Sequence, residues 1–431
     1  MTARVFVIRR NRAIEKCKAV SMIDREKISM KNKYINGILP MILMNFSTGS
    51  VYCWTLFKED IIAYTGFSKS VTEWCFSLAI FFLGMSAAFG GKLVEKDVKR
   101  SSFITFFMFT SGWVVTGLGI QIKNPIVTIL GFGVIQGVGL GFGYITPVKT
   151  MMVWMDKNKG FAAGLSISGF ALAGVLANPM IAYFLGIMPV HRVFYLLAAI
   201  YGICCFAAYL LIYRPPVIET REEFKKLLKT REIIFTKKFV LLWLMFFLNI
   251  ACGLALISQE KQIYIDVEQL GITSIATIVL YCSISAIMNL VGRLSMASWQ
   301  DKLKHKHTPY YLMAIASLIV CFIAAFRSTM LPETLMMIWV VQFFFGCGFS
   351  CMPNILHQHY GLNQLSTVQG LTLSAWAVAG LAGNQFALYM INHYGHSALY
   401  ACLGIMYTLV LAILVVWAKI TAKPAMAQCE Q

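Results

Sequence analysis

Apolar runs of about 20 residues recur along the whole chain, and they limit the possible fold more than any other feature. A helix of that length crosses the roughly 30 Å hydrocarbon core of a bilayer, at about 1.5 Å per residue. The runs begin near residues 35, 70, 101, 126, 160, 191, 238, 271, 308, 332, 366 and 396. With 58% hydrophobic and only 13% charged residues, the chain has more apolar surface than one soluble core could bury. The sequence therefore predicts an all-α, polytopic membrane protein with twelve transmembrane helices.

The basic residues are distributed unevenly between the two sides of the predicted membrane. The formal net charge is +18, and 29 of the 37 Lys and Arg lie in segments that share one side if the helices alternate in direction. These segments are residues 1–33, 92–100, 156–159, 214–238 and 301–307, together with the C-terminal tail. Lysine and arginine concentrate on the cytoplasmic side, so we expect a multi-pass protein of the cell membrane with both termini in the cytoplasm. Because this rule accounts for the positive charge, no nucleic-acid partner is expected.

The two halves of the chain are related by an internal repeat at a shift of 206 residues. The shift aligns Gln136 with Gln342, Pro147 with Pro353, Ser168 with Ser374 and Asn178 with Asn384. It also places Glu95 and Lys96 on Asp301 and Lys302, after the second and eighth predicted helices. Duplicated halves with a substrate site between them are common among transporters. Chance similarity between Gly- and Ala-rich helices is the alternative, but it does not explain polar identities at one fixed offset.

The repeat divides the chain into two pseudo-symmetric six-helix bundles, residues 34–213 and 239–419. A basic N-terminal segment (1–33), a charged linker (214–238) and a short tail (420–431) are predicted to lie in the cytoplasm. The twelve cysteines are scattered through apolar helices and lack the spacing of a zinc site. No nucleophile with a matching base stands out, so we expect a monomer without metal, cofactor or enzymatic activity.

Arg293 and Lys149 are the basic residues that fall inside predicted helices. Arg293 precedes Asp301 by eight residues, which places it roughly 12 Å from the helix end. We assign every acidic residue, Glu260 among them, to a loop or its border, so no membrane carboxylate is expected to pair with Arg293. Such an arginine can have a structural role, in which it extends to the membrane surface or binds carbonyls at a helix end. Alternatively, it binds an anionic substrate in the bidentate geometry that suits carboxylates. We favour substrate binding for Arg293; Lys149 is a second candidate, although it could also reach the cytoplasmic interface.

Aromatic residues in several predicted helices could enclose a small cavity near Arg293. The candidates are Tyr52 and Trp54 in the first helix, Tyr144 in the fourth, Phe345 and Phe349 in the tenth and Trp376 in the eleventh. A single aromatic residue in a membrane helix more often packs or anchors the helix at the interface. Several rings that converge on an arginine would instead favour a small planar carboxylate over a sugar.

Two sets of motifs resemble known families. The loop GGKLVEKDVKR is similar to a signature of the major facilitator superfamily, and the resemblance implies that Glu95, Lys96, Asp301 and Lys302 belong to its conformational gate. The segments GLGFGYITPVKTMMVWMDKNKGFAAGLSISGFALAG and NLVGRL resemble helices 4, 5 and 8 of the oxalate:formate antiporter family. In that family the arginine of helix 8 binds the substrate carboxylate, so the resemblance implies this role for Arg293.

The chain departs at two positions from the families that it resembles. The oxalate transporter adds a lysine in helix 11, whereas helix 11 has none here and Trp376 is the candidate for that place. One cation instead of two suggests a monocarboxylate such as formate, lactate or pyruvate. The related monocarboxylate transporters carry an aspartate four residues before the arginine, linked to proton coupling, and this chain has Asn289. We therefore expect exchange or facilitated movement, unless His357 or His359 carries a proton.

The predicted function is a secondary transporter that moves small mono- or dicarboxylates by alternating access, as an exchanger. A proton-coupled monocarboxylate symporter remains open, as does a carrier or sensor for another solute. A cation carrier should show an uncompensated membrane carboxylate, and a sensor usually has a large extra soluble domain. The sequence indicates neither feature.

Overall fold

A computed structural model describes residues 34–214, 230–268, 275–327 and 331–426, and these ranges are almost entirely helical. The predicted N-terminal segment, most of the linker and the end of the tail lie outside the described residues. The predicted bundle boundaries therefore stay predictions.

Six helices form the N-terminal half. They are α1, built from Tyr34–Ile38, Leu39–Gly49, Ser50–Cys53 and Trp54–Thr65, then α2 (Lys69–Lys96), α3 (Val98–Gln121), α4 (Pro125–Trp154), α5 (Lys159–Ile187) and α6 (Val190–Leu211). In α1 the Ser50–Cys53 turn is a 3-10 helix, which tightens the backbone in the middle of the span.

Six further helices form the C-terminal half. They are α7 (Lys237–Glu268), α8 (Ile275–Lys302), α9 (Thr308–Phe326), α10 (Leu331–Tyr360), α11 (365–394) and α12 (396–426). Gly395 separates α11 from α12 with a φ of 80°, a conformation that glycine adopts without steric cost. α12 continues into the segment predicted as tail.

The predicted number of transmembrane helices is confirmed. Nine stretches of the described chain are long and apolar enough to cross a membrane, and the longest, Leu362–Ile420, holds both α11 and α12. The divided helix α1 and the small-residue helix α5 complete the set. Each predicted start lies within about four residues of the observed one.

The two halves contact each other through pairs of helices that the repeat relates. α2 packs against α11, and α5 packs against α8. Small residues allow this approach, since a methyl group on Gly84 would lie 2.5 Å from the Leu373 carbonyl oxygen and one on Gly370 would lie 2.0 Å from that of Ala87. We call the side of the molecule where α2 and α8 end, at Lys96 and Lys302, the gate end.

Candidate functional site

Arg293 lies on α8 at the contact between the two halves and is only 2% exposed. Its Nε donates to the side-chain oxygen of Asn289 at 2.8 Å, and a terminal nitrogen donates to the carbonyl oxygen of Ile167, on α5, at 2.9 Å. Within the described part of the chain no carboxylate pairs with it, as the sequence predicted. Neutral oxygens therefore hold the guanidinium in place without cancelling its charge.

Asn289 is itself held in orientation by the C-terminal half. Its amide nitrogen donates to the side-chain oxygen of Gln342, on α10, at 3.3 Å. The Gln342 amide nitrogen in turn donates to the Gly253 carbonyl oxygen, on α7, at 3.1 Å. This chain of hydrogen bonds orients the Asn289 oxygen toward Arg293, and the fixed acceptor restricts the guanidinium.

Glycines bring α8 close to both of its partner helices. A methyl group on Gly346 of α10 would lie 2.1 Å from the Asn289 carbonyl oxygen. One on Gly164 of α5 would lie 2.7 Å from the Ala297 side chain and 3.0 Å from the Arg293 carbonyl oxygen. Only helices with no side chain at these positions could approach so closely, which is why the arginine is enclosed.

Aromatic rings from both halves surround Arg293. Its guanidinium carbon lies 5.3 Å from the centre of the Phe349 ring, and Phe349 lies 4.7 Å from Trp376. Tyr144 bridges the halves, with its ring centre 5.6 Å from Trp376 and 5.3 Å from Phe170. The edge-to-face geometry of these pairs is the favourable one for aromatic contacts.

Three donor groups of this aromatic cluster find no protein acceptor among the described residues, although the Tyr52 oxygen is within hydrogen-bonding reach of Arg293. They are the hydroxyls of Tyr52 and Tyr144 and the indole nitrogen of Trp376, all buried. Both tyrosines lie close enough to Arg293 to interact with its charge. Buried donors are normally satisfied, so three unsatisfied ones around a cation are a feature to explain by a ligand or ordered water. A cavity with room for about one water molecule lies beside Tyr144, lined by Tyr144, Phe246, Phe349, Met352, Pro353, Gln369, Thr372 and Leu373.

Most predicted site residues come together, but two do not. Trp54 belongs to the core of the N-terminal half, where its indole nitrogen donates to the Thr72 carbonyl oxygen at 2.9 Å and its ring lies 3.9 Å from Phe132. Side chains two positions apart on a helix point in directions about 200° apart, so Tyr52 and Trp54 cannot face the same cavity. Phe345 does reach the cluster, 5.1 Å from Phe349.

Lys149 is the second residue that the structure places elsewhere. It is 3% exposed and forms an ion pair with Glu95. The sequence predicts a loop at Glu95, whereas this residue lies in the last turn of α2 and its side chain is only 13% exposed. Its carboxylate has Lys149 as a partner, which the sequence could not show because the two residues are far apart in the chain.

The two acidic residues of the repeat occupy equivalent positions at the gate end. Glu95 accepts hydrogen bonds from the backbone nitrogens of Ser366 (2.5 Å) and Thr367 (3.3 Å), in the first turn of α11. Asp301 accepts from those of Gly160 and Phe161, both at 2.8 Å, in the first turn of α5. Each carboxylate thus caps a helix of the opposite half, where free N–H groups and the helix dipole favour negative charge. The matching lysines, Lys96 and Lys302, are exposed.

Arg214 reinforces the gate end from the start of the linker. Its guanidinium donates to the Val94 carbonyl oxygen at 2.6 Å and to the Thr150 hydroxyl at 3.2 Å. Burial lowers the pKa of this guanidinium to about 10, which still leaves it charged at neutral pH. The sequence gives no signal for this role of Arg214, because its partners are a backbone carbonyl and a hydroxyl. The 206-residue shift, which pairs Phe170 with Trp376, predicts two rings at matching depths in α5 and α11, and both rings contact Tyr144.

Comparison with known proteins agrees with this architecture. The profile of the Major Facilitator Superfamily matches residues 33–384. The chain belongs to this superfamily. It is 23% identical over 348 residues to the uncharacterized transporter YhjX of Escherichia coli, covering 80% of this chain and 85% of YhjX. It is 21% identical over 372 residues to the oxalate:formate antiporter of Oxalobacter formigenes, covering 84% of this chain and 86% of the antiporter.

A solved structure has the same fold. A bacterial homologue of the iron transporter ferroportin, in an outward-facing state, aligns with a TM-score of 0.69 at 12% identity and covers 88% of this chain and 98% of its own. The predicted fold, two six-helix halves of the major facilitator type, is confirmed. The protein is therefore a multi-pass membrane transporter.

Proposed function

We propose that this transporter moves small organic anions, foremost monocarboxylates such as formate, lactate or pyruvate, by alternating access, and that Arg293 binds their carboxylate. The observation that carries the proposal is an arginine at the contact between the halves whose charge meets only neutral oxygens. An unpaired charge out of water is costly, so the site gains most from an anion. A guanidinium binds a carboxylate through two parallel hydrogen bonds.

The surroundings of Arg293 favour a small anion with one carboxylate. The unsatisfied hydroxyls of Tyr52 and Tyr144 are donors that a carboxylate or 2-oxo group can accept from. The Trp376 and Phe349 rings, 4.7 Å apart, close the space on the side of the C-terminal half. Because α11 supplies Trp376 rather than a second cation, a dianion would keep one charge uncompensated. The similarity to an oxalate:formate antiporter supports the substrate class of small carboxylates.

We assign the gate end to the cytoplasm, from the concentration of basic residues on that side. The capping contacts of Glu95 and Asp301 then close the cytoplasmic side, and the substrate would reach Arg293 from the external side. Release inward requires both carboxylates to leave the helix ends that they cap. Exchange is the transport mode proposed, since it needs only that the loaded protein change its open side.

The test is uptake of labelled formate, lactate, pyruvate and oxalate into proteoliposomes that are empty or preloaded with the same acids. We expect uptake of a monocarboxylate to be stimulated by preloading. Arg293→Gln should raise its KM at least tenfold, because a hydrogen bond to a charged group contributes about 1.5–3 kcal/mol. The control is Arg327→Gln, which removes an arginine that is 66% exposed and paired with Glu333. The proposal fails if Arg293→Gln transports as well as this control.

A further inference from the structure

Glu260 is a buried carboxylate that neither the site nor the gate uses. The sequence predicts that Glu260 lies in or beside an external loop, but the structure places it inside the long helix α7, where it is only 8% exposed. The Tyr264 hydroxyl donates to it at 2.8 Å, and the hydroxyl of Ser285, on α8, is also within hydrogen-bonding reach. These are neutral partners. Among side chains that the structure describes, no Lys, Arg or His forms an ion pair with Glu260.

The other groups near Glu260 do not supply the missing positive charge. Cys282 of α8 and Trp339 of α10 both adjoin its partner Tyr264, and neither is a cation. Further along α7, Asp266 pairs with His396 of α12 at 3.3 Å, so this histidine already has an acidic partner. An ionised carboxylate in protein without a cation carries a large desolvation cost, and a proton is the simplest ligand that removes it.

Glu260 and the anion site lie near each other on two adjacent helices, α7 and α8. On α8, Ser285, Asn289 and Arg293 follow each other at intervals of four residues and share one face, about 12 Å from end to end. On α7, Glu260 lies two turns from Gly253, whose carbonyl oxygen anchors the Gln342–Asn289 chain. The proton site and the anion site thus lie on the same two helices of the C-terminal half, about two helical turns apart.

We propose that Glu260 binds a proton that is transported together with the organic anion, which adds proton-coupled net uptake to the exchange proposed above. This rests on the proposed function of Arg293, and charge balance supplies the coupling. With substrate bound, Arg293 and the anion cancel, so the site is neutral only when Glu260 is protonated. Without substrate, Arg293 and an ionised Glu260 cancel, so the empty site is neutral only when the proton has left. A net charge is costly to carry through the occluded state. The protein therefore changes its open side in these two neutral forms and not in the forms that carry a net charge.

The charge argument makes a separable prediction for Glu260→Gln, which is permanently neutral at this position. Its loaded form is neutral and should still exchange internal for external anion. Its empty form carries the uncompensated charge of Arg293 and should return slowly, so net uptake stops. In the wild type, one pH unit of inward proton gradient should drive about tenfold accumulation of the anion at zero membrane potential. In Glu260→Gln this accumulation should be absent.

The experiment compares wild type, Glu260→Gln and Glu333→Gln in proteoliposomes. Glu333 is the matched control, because it is an ion-paired glutamate on the same half of the protein. Exchange at equal pH and accumulation under a proton gradient are measured in parallel. Loss of accumulation with retained exchange in Glu260→Gln alone supports the proposal. Equal accumulation in Glu260→Gln and wild type, loss of both modes in Glu260→Gln, or wild-type exchange without proton-driven accumulation overturns it.

Infrared pH-difference spectra of the purified proteins test protonation without transport. The wild type should show the C=O band of a carboxylic acid that appears on acidification and is missing in Glu260→Gln but present in Glu333→Gln. Absence of this difference rules out the proton site. If the band is found but no carboxylate exchanges in the wild type, the substrate class is wrong and the proton site stands.

Discussion

At the scale of single residues, Asn289 determines whether the charge of Arg293 is available. A neutral amide oxygen 2.8 Å from Nε fixes the guanidinium and leaves its charge for a ligand. An aspartate at this position would have nearly the same shape and would cancel that charge. Whether residue 289 carries an amide or a carboxylate therefore decides whether Arg293 can bind a ligand or is held in a structural ion pair.

Asn289→Asp should weaken anion binding, with a KM at least tenfold higher and little change in thermal stability. An aspartate beside Arg293 would pair with its guanidinium and so compete with the substrate for it. The measurement is KM for exchange at several pH values between about 5 and 8. Asn392→Asp, at an exposed position of α11, is the control. A KM like that of this control would show that Arg293 does not bind the anion through its free charge.

At the scale of helices, backbone contact places the site. The 3-10 turn of α1 carries Tyr52, and glycines in α5 and α10 let both helices touch α8. Such contacts tolerate no added atoms, because the group that would be struck is the backbone of a neighbouring helix rather than a flexible side chain.

Gly346→Ala tests this point. The added methyl group would meet the Asn289 carbonyl oxygen, so α8 and α10 must separate, at a cost of about 1–3 kcal/mol. We expect a lower unfolding temperature in detergent and a higher KM, because Arg293 moves with α8. In Gly186→Ala, on α5, the methyl group meets nothing within 4 Å and should leave stability unchanged or slightly improved. Equal unfolding temperatures of the two variants would contradict the packing argument.

At the scale of the whole molecule, two capping carboxylates hold the halves together at the gate end. Glu95 caps α11 and Asp301 caps α5, so each half closes on the other through the same kind of contact. Hydrogen bonds of this charged type contribute about 1.5–3 kcal/mol each, which is enough to set the balance between two conformations.

The double variant Glu95→Gln, Asp301→Asn should open the gate end. Spin labels on cysteines at the exposed positions 96 and 302, one on each half, should report a longer distance than in the parent protein. Asp97→Asn is the control, since Asp97 caps only its own helix by accepting from the Arg100 backbone nitrogen at 3.0 Å. If the double variant and this control give the same distances, the caps do not hold the gate end closed.

The sequence by itself determined the twelve helices of the major facilitator fold, and it selected Arg293 as a candidate site residue. Apolar length is a local property, the repeat is a comparison within the chain, and a charge in an apolar run is visible without any partner. The aromatic residues Tyr52, Tyr144, Phe349 and Trp376 could be selected because aromatic side chains inside predicted membrane helices are also visible without any partner.

Only the tertiary structure decided which side chains meet. It placed Trp54 in the core of the N-terminal half, against Phe132, and Tyr52 against Phe170 beside the candidate site. It paired Lys149 with Glu95 across the N-terminal half, and it enclosed Glu260 among neutral groups instead of leaving it in a loop. The physical reason is that burial and charge pairing depend on contacts between distant segments, and these contacts exist only once the helices have packed.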